Sequence, residues 1–433
     1  MAEGGLEART NKRLVLSQFG GLNRFRLHVR KLTAVRDGYV RIKVEACSIN
    51  VQDVLNRQGS DPSVIIKPPC VLGMEVAGRI DECGRNVTTF EVGDRVIGLV
   101  WSGGWSQYVS CHVDWVFRMP AQMTFAEAAS ISVSYLTAHY LLFEFGNLKE
   151  GKNVFCHNAT GDIGIAVGQL CKSVDNVTLY GICPPAQVTF AQQNGYHHLA
   201  QERNYIPDMQ QLVPNGFDIM IDAFRGPFNR RNFELTSRMG KYIMHGGDTL
   251  LSIESHPWIF TSRWWNPFQK DLFTLMSESK TIGGFILSHL AQDPKSLAWM
   301  RSTMTRILED YNNSIITPII DCVYRLEEYM TAMQQVHHRP RIGKILFSPN
   351  MADSQGPHKH ITRGDVEELA LPQKLEHQDA EKYHQEELIA GLSMAPRHSD
   401  EADDDEQPTS STTTKLLKKA KLPSKKDPTP QGK

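Results

Sequence analysis

The chain has 433 residues, 41% hydrophobic and 22% charged, which is the composition of an ordinary globular protein of two or three domains. Its 47 Lys and Arg residues balance 48 Asp and Glu residues, and this balance argues against a nucleic-acid partner. The eight cysteines form no CxxC pair and no run of about 18 apolar residues occurs, which argues against a disulfide scaffold, a structural zinc site and a spanning helix. We therefore expect a cytoplasmic protein.

Short β-strands separated by glycine and proline are predicted from about residue 13 to residue 119. Apolar and polar residues alternate over residues 40–44, and residues 76–80 and 95–100 are further predicted strands. Many short strands with frequent turns predict a small barrel-like β domain.

Strands and helices alternate from about residue 124 onward. The predicted strands cover residues 153–157, 177–182, 218–222 and 241–245, and helices are predicted at 163–173 and 188–194. A further helix and a last strand, 344–347, are predicted within residues 325–348. This alternation predicts an α/β fold with a parallel, doubly wound sheet of the Rossmann type.

The composition changes near residue 348. Tyr383 is the only aromatic residue beyond it, so residues 351–433 cannot bury enough apolar surface to offset their ordering entropy, and we predict a disordered tail. An acidic block, 400–406, precedes a lysine-rich block, 415–426. The lysine-rich block fits a nuclear-import signal, a patch for acidic lipids, or a solvated tail.

The segment 159–164 follows the first predicted strand of the α/β part and reads A-x-G-x-x-G, a variant of the dinucleotide-binding motif. Gly161 would let backbone amides approach a pyrophosphate, and Gly164 would let the helix pack on the strand. A tight turn that binds nothing fits the same pattern. Asp162 places a carboxylate in this loop, where it would either repel a diphosphate or point to solvent.

The end of the second α/β strand, residues 181–187, carries no marker of cofactor choice. It has no carboxylate to hold the ribose diol of NAD, and no Lys or Arg to hold the 2′-phosphate of NADP.

Motifs in the right order resemble those of the medium-chain dehydrogenase/reductase superfamily, in its zinc-independent quinone oxidoreductase branch. They are N-x-x-D-x-x-x-R-x-G at 50–59, the glycine-containing segments 73–78 and 93–96, L-T-A at 136–138, the loop at 159–164, and G-K at 343–344. Within this branch, the segments 15–23, 142–148, 176–181, 263–266 and 315–321 are most similar to the vesicle amine transport protein one homologues.

The resemblance covers about residues 12–348 and implies a domain organisation. A GroES-like β-barrel domain would occupy residues 12–135, a Rossmann nucleotide-binding domain 136–312, and a return to the GroES-like domain 313–350, before the tail 351–433. The family also implies a homodimer and a peripheral association with vesicle or organelle membranes and phospholipid.

The activity implied by the resemblance is hydride transfer from NADPH to the β-carbon of a quinone or an α,β-unsaturated carbonyl compound. Asn50 and Asp53 would act at the catalytic site by contacting the nicotinamide ribose and carboxamide. The implied cofactor-binding residues are Thr137, Ala159, Thr160, Gly161, Ile163, Gly164, Gly181, Phe285, Gly343 and Lys344. Alternatively, Asn50 and Asp53 cap backbone groups, Phe285 belongs to the core, and Lys344 is a surface charge.

The chain departs from the family at several positions. The zinc ligands of the metal-using relatives fall at Asn50 and Met74, which cannot bind zinc in their place, so no zinc is expected. The residues that grip the 2′-phosphate fall at Pro184, Gln187 and Glu202. The tyrosine that serves relatives as a proton or hydrogen-bond donor falls at Asp61 or Leu55. These departures favour a second hypothesis, a catalytically weak or inactive relative that binds lipid or protein at membranes.

Overall fold

The structure is a computed structural model that describes residues 9–59, 66–201, 205–223, 228–246, 272–291, 293–337 and 341–351. The predicted tail beyond residue 351, the positions Asp61 and Glu202, and the segment 263–266 lie outside these residues. In the part described, no helix is both long and apolar enough to cross a membrane.

Among the residues that the structure describes, the β-rich part has ten strands in two sheets. They are β1 (Thr10–Leu16), β2 (Phe25–Lys31), β3 (Tyr39–Ser48), β4 (Cys70–Val71), β5 (Glu75–Cys83), β6 (Arg95–Leu99), β7 (Tyr108–His112), β8 (Val116–Arg118), β15 (Ile320–Tyr324) and β16 (Lys344–Phe347). The smaller sheet has the order β2-β1-β4, and the larger one has the order β15-β16-β3-β5-β6-β8 with β7 on β3. The strands predicted at 40–44, 76–80 and 344–347 are confirmed, and the one predicted at 95–100 ends one residue earlier.

The last strand of the described chain, β16, belongs to the larger sheet of the β-rich part. β16 pairs antiparallel with β3, with Phe347 opposite Cys47, and parallel with β15. Lys344 at the start of β16 is thereby brought next to the residues that follow β3.

In the described ranges, the α/β part contains a six-stranded sheet whose pairs are all parallel. Its strands are β9 (Asn153–Cys156), β10 (Thr178–Ile182), β11 (His198–Ala200), β12 (Phe217–Asp222), β13 (Thr236–His245) and β14 (Thr281–Phe285). The order β11-β10-β9-β12-β13-β14 is the doubly wound Rossmann order, which confirms the prediction. The strand order reverses between β9 and β12, and ligands of such sheets bind beyond the carboxyl ends at that point.

Ten α-helices are described. They are α1 (Val51–Gln58), α2 (Phe125–His139), α3 (Asp162–Cys171), α4 (Val188–Gln193), α5 (Tyr205–Leu212), α6 (Phe228–Glu234), α7 (Leu272–Glu278), α8 (Leu287–Leu290), α9 (Pro294–Asn312) and α10 (Tyr329–His337). The predicted helices at 163–173 and 188–194 correspond to α3 and α4, with bounds that differ by one or two residues.

Helix α2 connects the β-rich part with the α/β part. Its start is fixed by a capping box, in which Thr124 accepts from the Glu127 amide and the Glu127 carboxylate accepts from the Thr124 amide. It packs against α3 on one side and against β3 and β5 on the other. The domain boundary predicted at residue 135 falls within α2, and the predicted domain limits remain predictions.

A continuous apolar core extends across α2 and joins the two parts. It includes Ala46 and Ala77 from the larger β-sheet, Leu136 from α2, and Val154 and Ile219 from the parallel sheet. Full burial of one such aliphatic side chain contributes about 1.5–3 kcal/mol. This core fixes α2, the amino end of α3 and the start of β16 close to one another, and the candidate site is built there.

Candidate functional site

Asp53 holds the first turn of α1. One of its carboxylate oxygens accepts from the Asn50 amide at 2.9 Å, and the other accepts from the Gly73 amide at 2.9 Å. The contact with Gly73 ties α1 to the segment that leads into β5. Backbone amides therefore engage both oxygens, as the capping alternative for Asp53 expects.

The surroundings of Asp53 change its acidity. Burial raises the pKa of its carboxyl group to about 7, although the amides of Asn50 and Gly73 and the charge of Lys344 act in the opposite direction. Asp53 is therefore a group that titrates near neutral pH, with 1% of its surface exposed.

Lys344 lies at the centre of a buried polar cluster. Its Nζ donates to Asn50 Oδ1 at 2.7 Å, to Ser134 Oγ at 2.9 Å and to Asp162 Oδ2 at 2.7 Å, and it lies 3.3 Å from Glu75 Oε1. Lys344 is only 2% exposed, so the alternative of a solvated surface charge is wrong. We call Asn50, Glu75, Ser134, Asp162 and Lys344 the Lys344 cluster.

Glu75 completes the cluster from β5. Its Oε1 accepts from Ser48 Oγ at 2.6 Å, and its Oε2 accepts from the Val133 amide at 2.8 Å. The side chain is fully buried. Glu75 belongs to the predicted glycine-containing segment 73–78 but had no predicted role. Ser48 and Ser134 were not predicted, because isolated serines form no recognisable sequence motif.

Asp162 and Lys344 each favour the charged form of the other. Burial opposes ionisation of Asp162, but the charges of Lys344 and Arg341 outweigh it and lower its pKa to about 2. Burial likewise opposes the charged form of Lys344, and the carboxylates of Asp162 and Glu75 nevertheless raise its pKa. The Asp162–Lys344 pair is therefore ionised at neutral pH. The expectation that Asp162 points to solvent is wrong, since its carboxylate faces inward to a lysine.

The glycine-containing loop lies directly beside this cluster. Gly343 donates its amide to the Thr160 carbonyl at 2.9 Å, and Gly161 and Gly343 form a parallel bridge. A Cβ on Gly164 would lie 2.2 Å from the Asn158 carbonyl oxygen, so only glycine permits this approach of α3 to the loop.

The amino end of α3 can receive an anion. Gly161 occupies the N-cap position and therefore offers no side chain to cap the helix. The first intrahelical hydrogen bond runs from Ile165 to Gly161, which leaves the preceding amides of the first turn directed toward the end of the helix. This end lies at the edge of the sheet where a dinucleotide diphosphate would bind.

Neutral contacts occupy the position expected to select NADP. Thr160 Oγ1 donates to Gln187 Oε1 at 2.6 Å, and both side chains are buried. Gly181 provides space for the Tyr196 ring, since a Cβ there would lie 2.6 Å from that ring. The Tyr196 hydroxyl donates to the Gly164 carbonyl at 2.9 Å, so Gly181 also supports the position of α3.

Of the remaining predicted site residues, Thr137, Ala159 and Phe285 are buried and Ile163 is partly buried. Phe285 stacks on Tyr140, with ring centroids 4.3 Å apart and an interplanar angle of 15°, and Tyr140 contacts Trp299 edge-on. Thr137 is buried on α2. Ala159 is fully buried and Ile163 packs against the same apolar core.

A small opening gives access to the cluster. It is lined by Ile49, Val51, Asp162, Val336, Arg341, Gly343, Lys344 and Ile345. The opening connects the first turn of α1, the amino end of α3 and the start of β16. Of the predicted site residues, Gly343 and Lys344 line the opening, and Asn50 lies behind it through its hydrogen bond with Lys344.

A second buried polar group lies at the carboxyl ends of β9 and β12, and sequence reasoning missed it. His157 Nδ1 lies 3.1 Å from Asp222 Oδ1, and Asn232 Nδ2 donates to Asp222 Oδ2 at 2.8 Å. The Tyr242 hydroxyl donates to the same carboxylate. Burial opposes ionisation of Asp222, but His157 and these hydrogen bonds lower its pKa. The group links neighbouring strands near the point where the strand order reverses.

Within the described ranges, no group of three or more His, Cys, Asp and Glu side chains is arranged to hold a metal ion. The resemblance assigns the metal-ligand positions of the metal-using relatives to Asn50 and Met74. Asn50 is instead bound to Lys344, and Met74 is buried in the apolar core.

Comparison with known proteins identifies relatives over most of the described chain. The alcohol dehydrogenase GroES-like domain family matches residues 36–121, and the zinc-binding dehydrogenase family matches residues 195–346. The chain is 32% identical over 342 residues to the human synaptic vesicle membrane protein VAT-1 homolog-like, a match that covers 79% of this chain and 81% of the relative. It is 28% identical over 319 residues to the quinone oxidoreductase of Sus scrofa, covering 72% and 89% of the two chains.

Solved structures agree with this assignment of the fold. The crystal structure of the human VAT-1 homolog-like protein matches with a TM-score of 0.69 and 31% identity, covering 79% of this chain and 99% of that chain. The structure of mycobacterial Rv1454c complexed with NADPH matches with a TM-score of 0.68 at 21% identity, covering 78% and 100%.

Proposed function

This chain belongs to the VAT-1 family of the medium-chain dehydrogenase/reductase superfamily, and from this membership we propose that it is an NADPH-dependent reductase that acts without zinc. The proposed acceptor is a quinone or an α,β-unsaturated carbonyl compound. A quinone oxidoreductase is among the relatives, and an enoyl reductase is among the proteins of like fold.

The amino end of α3 is the observation that carries the proposal. It combines a glycine N-cap, first-turn amides directed outward, and the buried cation Lys344 beside the loop. Hydrogen-bond donors and positive charge in this arrangement suit the diphosphate of a dinucleotide. The predicted residues Gly164 and Gly343 allow close backbone approaches, and Gly161 leaves room for the Asn158 side chain.

The residues after β10 suit the 2′-phosphate of NADPH less well than the amino end of α3 suits the diphosphate. Pro184 offers no donor, and the Gln187 carbonyl oxygen is already engaged by Thr160. Arg341 lines the same opening as Lys344, and its charge acts on Asp162. We therefore assign the recognition of the 2′-phosphate to Arg341 in place of residues 184–187.

When bound, a reduced nicotinamide supplies the hydride for the acceptor. The chain's own side chains would position the nicotinamide and polarise the acceptor oxygen. Lys344 and Ser48 fix the side-chain amide of Asn50 at the start of α1. Asp53 fixes the same turn by accepting from the Asn50 backbone amide. Asp53 holds a proton in part of the molecules at neutral pH because its pKa is about 7. Phe285 and Tyr140 stack on each other, and we propose that this pair walls the nicotinamide.

A second candidate function is a catalytically weak relative that binds lipid or protein at vesicle or organelle membranes. The observation that favours it is the Asp162–Lys344 pair, which places a negative charge of the chain itself beside the anion site. For either candidate we propose a cytoplasmic or peripheral membrane location, and we propose a homodimer formed through the edge strands of the parallel sheet.

Calorimetric titration of the full chain with NADPH, and separately with NADH, distinguishes the two candidates. We expect NADPH to bind with a Kd of about 100 µM or tighter, and NADH at least about tenfold more weakly. No heat with either cofactor up to about 1 mM would contradict the reductase and leave the membrane-associated function as the remaining candidate.

A further inference from the structure

Asp162 is the first residue of α3 and carries its carboxylate at the end of the helix that would receive the cofactor diphosphate. Dinucleotide-binding helices attract anions at this end because the backbone dipoles give it positive character. A resident carboxylate is therefore in the same location as the ligand charge that the site is expected to bind.

The carboxylate is held firmly in place. Lys344 Nζ and Ser134 Oγ donate to the same oxygen, at 2.7 Å and 2.8 Å, and only 19% of the Asp162 side chain is exposed. Ser134 belongs to α2 and Lys344 to β16, so Asp162 is bound to both elements that flank the loop. It cannot turn away to solvent without breaking two hydrogen bonds in a buried place.

The pair also neutralises the cation. Lys344 is the buried cation beside the loop, and the carboxylates of Asp162 and Glu75 both lie within 3.3 Å of its Nζ. These two carboxylates offset its positive charge, and Arg341 is a second cation that lines the same opening and acts on Asp162. A bound diphosphate would meet the Asp162 carboxylate at close range, in surroundings that screen its charge less than bulk water does.

We propose that Asp162 lowers the affinity of this chain for its dinucleotide cofactor by acting as a resident anion that occupies Lys344. The proposal rests on the proposed function, since it concerns the same site. It makes Asp162 the residue that sets how tightly the cofactor is held. Because Asp162 stays ionised across the physiological range, this effect persists at every pH at which the protein would work.

Neutralising this one charge tests the proposal. The variant Asp162→Asn keeps the size of the side chain and an oxygen for Lys344, while Glu75 still pairs with Lys344 at 3.3 Å. Asp162→Ser is a second neutral variant, suited to the first turn of a helix, in case the amide packs badly. The matched control is Glu150→Gln, which removes the same charge from an exposed side chain that accepts a hydrogen bond from Asn176.

The measurement is the Kd for NADPH, by calorimetry on the full-length wild type and all three variants. The unfolding temperature of each protein verifies that it is folded. We expect Asp162→Asn and Asp162→Ser to bind NADPH about 5- to 50-fold more tightly than wild type, and Glu150→Gln to change the Kd by less than about twofold.

The measurement separates failure of the proposed reductase from failure of the role of Asp162. If the wild type binds NADPH and the folded neutral variants bind it no more tightly, the role of Asp162 is wrong and the proposed reductase stands. If the neutral variants bind and the wild type does not, the role of Asp162 is supported and the native chain is not a cofactor-dependent enzyme. If none of the four proteins binds, both proposals are wrong.

Discussion

Asp53 shows how burial determines the chemistry of a single residue. In an unfolded chain a carboxyl group of this type has a pKa of about 3.9, whereas burial raises the pKa of folded Asp53 to about 7. Between these values the native protein holds a proton that the unfolded chain has released. The stabilising contribution is therefore complete below about pH 4 and is lost as the pH rises through about 7, by about 4 kcal/mol at most.

The variant Asp53→Asn tests this assignment. Its amide group would face either the Asn50 or the Gly73 amide, so we expect a loss of about 1–3 kcal/mol in the free energy of unfolding at pH 5. Because the variant cannot ionise, its stability should fall less steeply than that of wild type between about pH 5 and pH 7.5. Urea unfolding at a series of pH values measures both effects. The Glu150→Gln protein should keep the wild-type slope, and an equally steep slope in Asp53→Asn would show that Asp53 is not the titrating group.

Sequence reasoning could name single residues of the site but could not find their partners. Asn50, Asp53 and Lys344 were selected because of motif positions. The contact between Asp162 and Lys344, however, joins residues 182 positions apart, and nothing in either local sequence indicates the other. An aspartate in a glycine-containing loop was therefore expected either to repel a ligand or to face solvent. Only the fold shows that it faces a lysine.

At the scale of elements, close backbone approaches fix the loop and strands around the site. The predicted elements of the α/β part were correct to within two residues, except that β13 begins five residues before the predicted strand 241–245. Buried parallel strands appear as short apolar runs between helices, which is why they could be predicted. The π-helical segment Tyr140–Phe145 that continues α2 was not predicted, since an apolar helical pattern does not distinguish it from ordinary helix. That segment carries Tyr140, which stacks on Phe285.

Two adjacent glycines of β14 provide a matched test of this packing. A Cβ on Gly283 would lie 1.8 Å from the tip of the Phe145 ring, whereas a Cβ on Gly284 would meet nothing closer than 4.0 Å. We expect Gly283→Ala to lower the free energy of unfolding by about 1–3 kcal/mol because the Phe145 ring must move. Gly284→Ala should change it by less than about 1 kcal/mol, or raise it slightly through a less flexible unfolded chain. Urea unfolding of the two variants measures the difference, and equal stabilities would contradict the packing described for β14.

At the scale of the whole molecule, α2 and β16 combine a β-rich part and a Rossmann sheet into one site. The fold class could be predicted from the sequence because strand patterns, helix patterns and family motifs all agreed. The chemistry could not be predicted to the same degree. The glycine-containing loop and the Rossmann strand order coexist with Gln187 and Asp162 at positions where a cofactor would be recognised. Fold membership therefore fixes where a cofactor would bind, while individual side chains determine how well.

The most direct test of the reductase proposal follows the transferred hydrogen itself. The full chain and its Asp162→Asn variant would each be incubated with NADPH carrying deuterium at the transferable C4 position and with an α,β-unsaturated ketone, whose reduced β-carbon keeps the label. Mass spectrometry of the product would then locate the label. We predict deuterium at the β-carbon of the reduced ketone with both proteins, and faster labelling by the variant when NADPH is subsaturating. Unlabelled, unreduced acceptors with both proteins, under conditions where a known quinone oxidoreductase gives labelled product, would contradict hydride transfer by this chain.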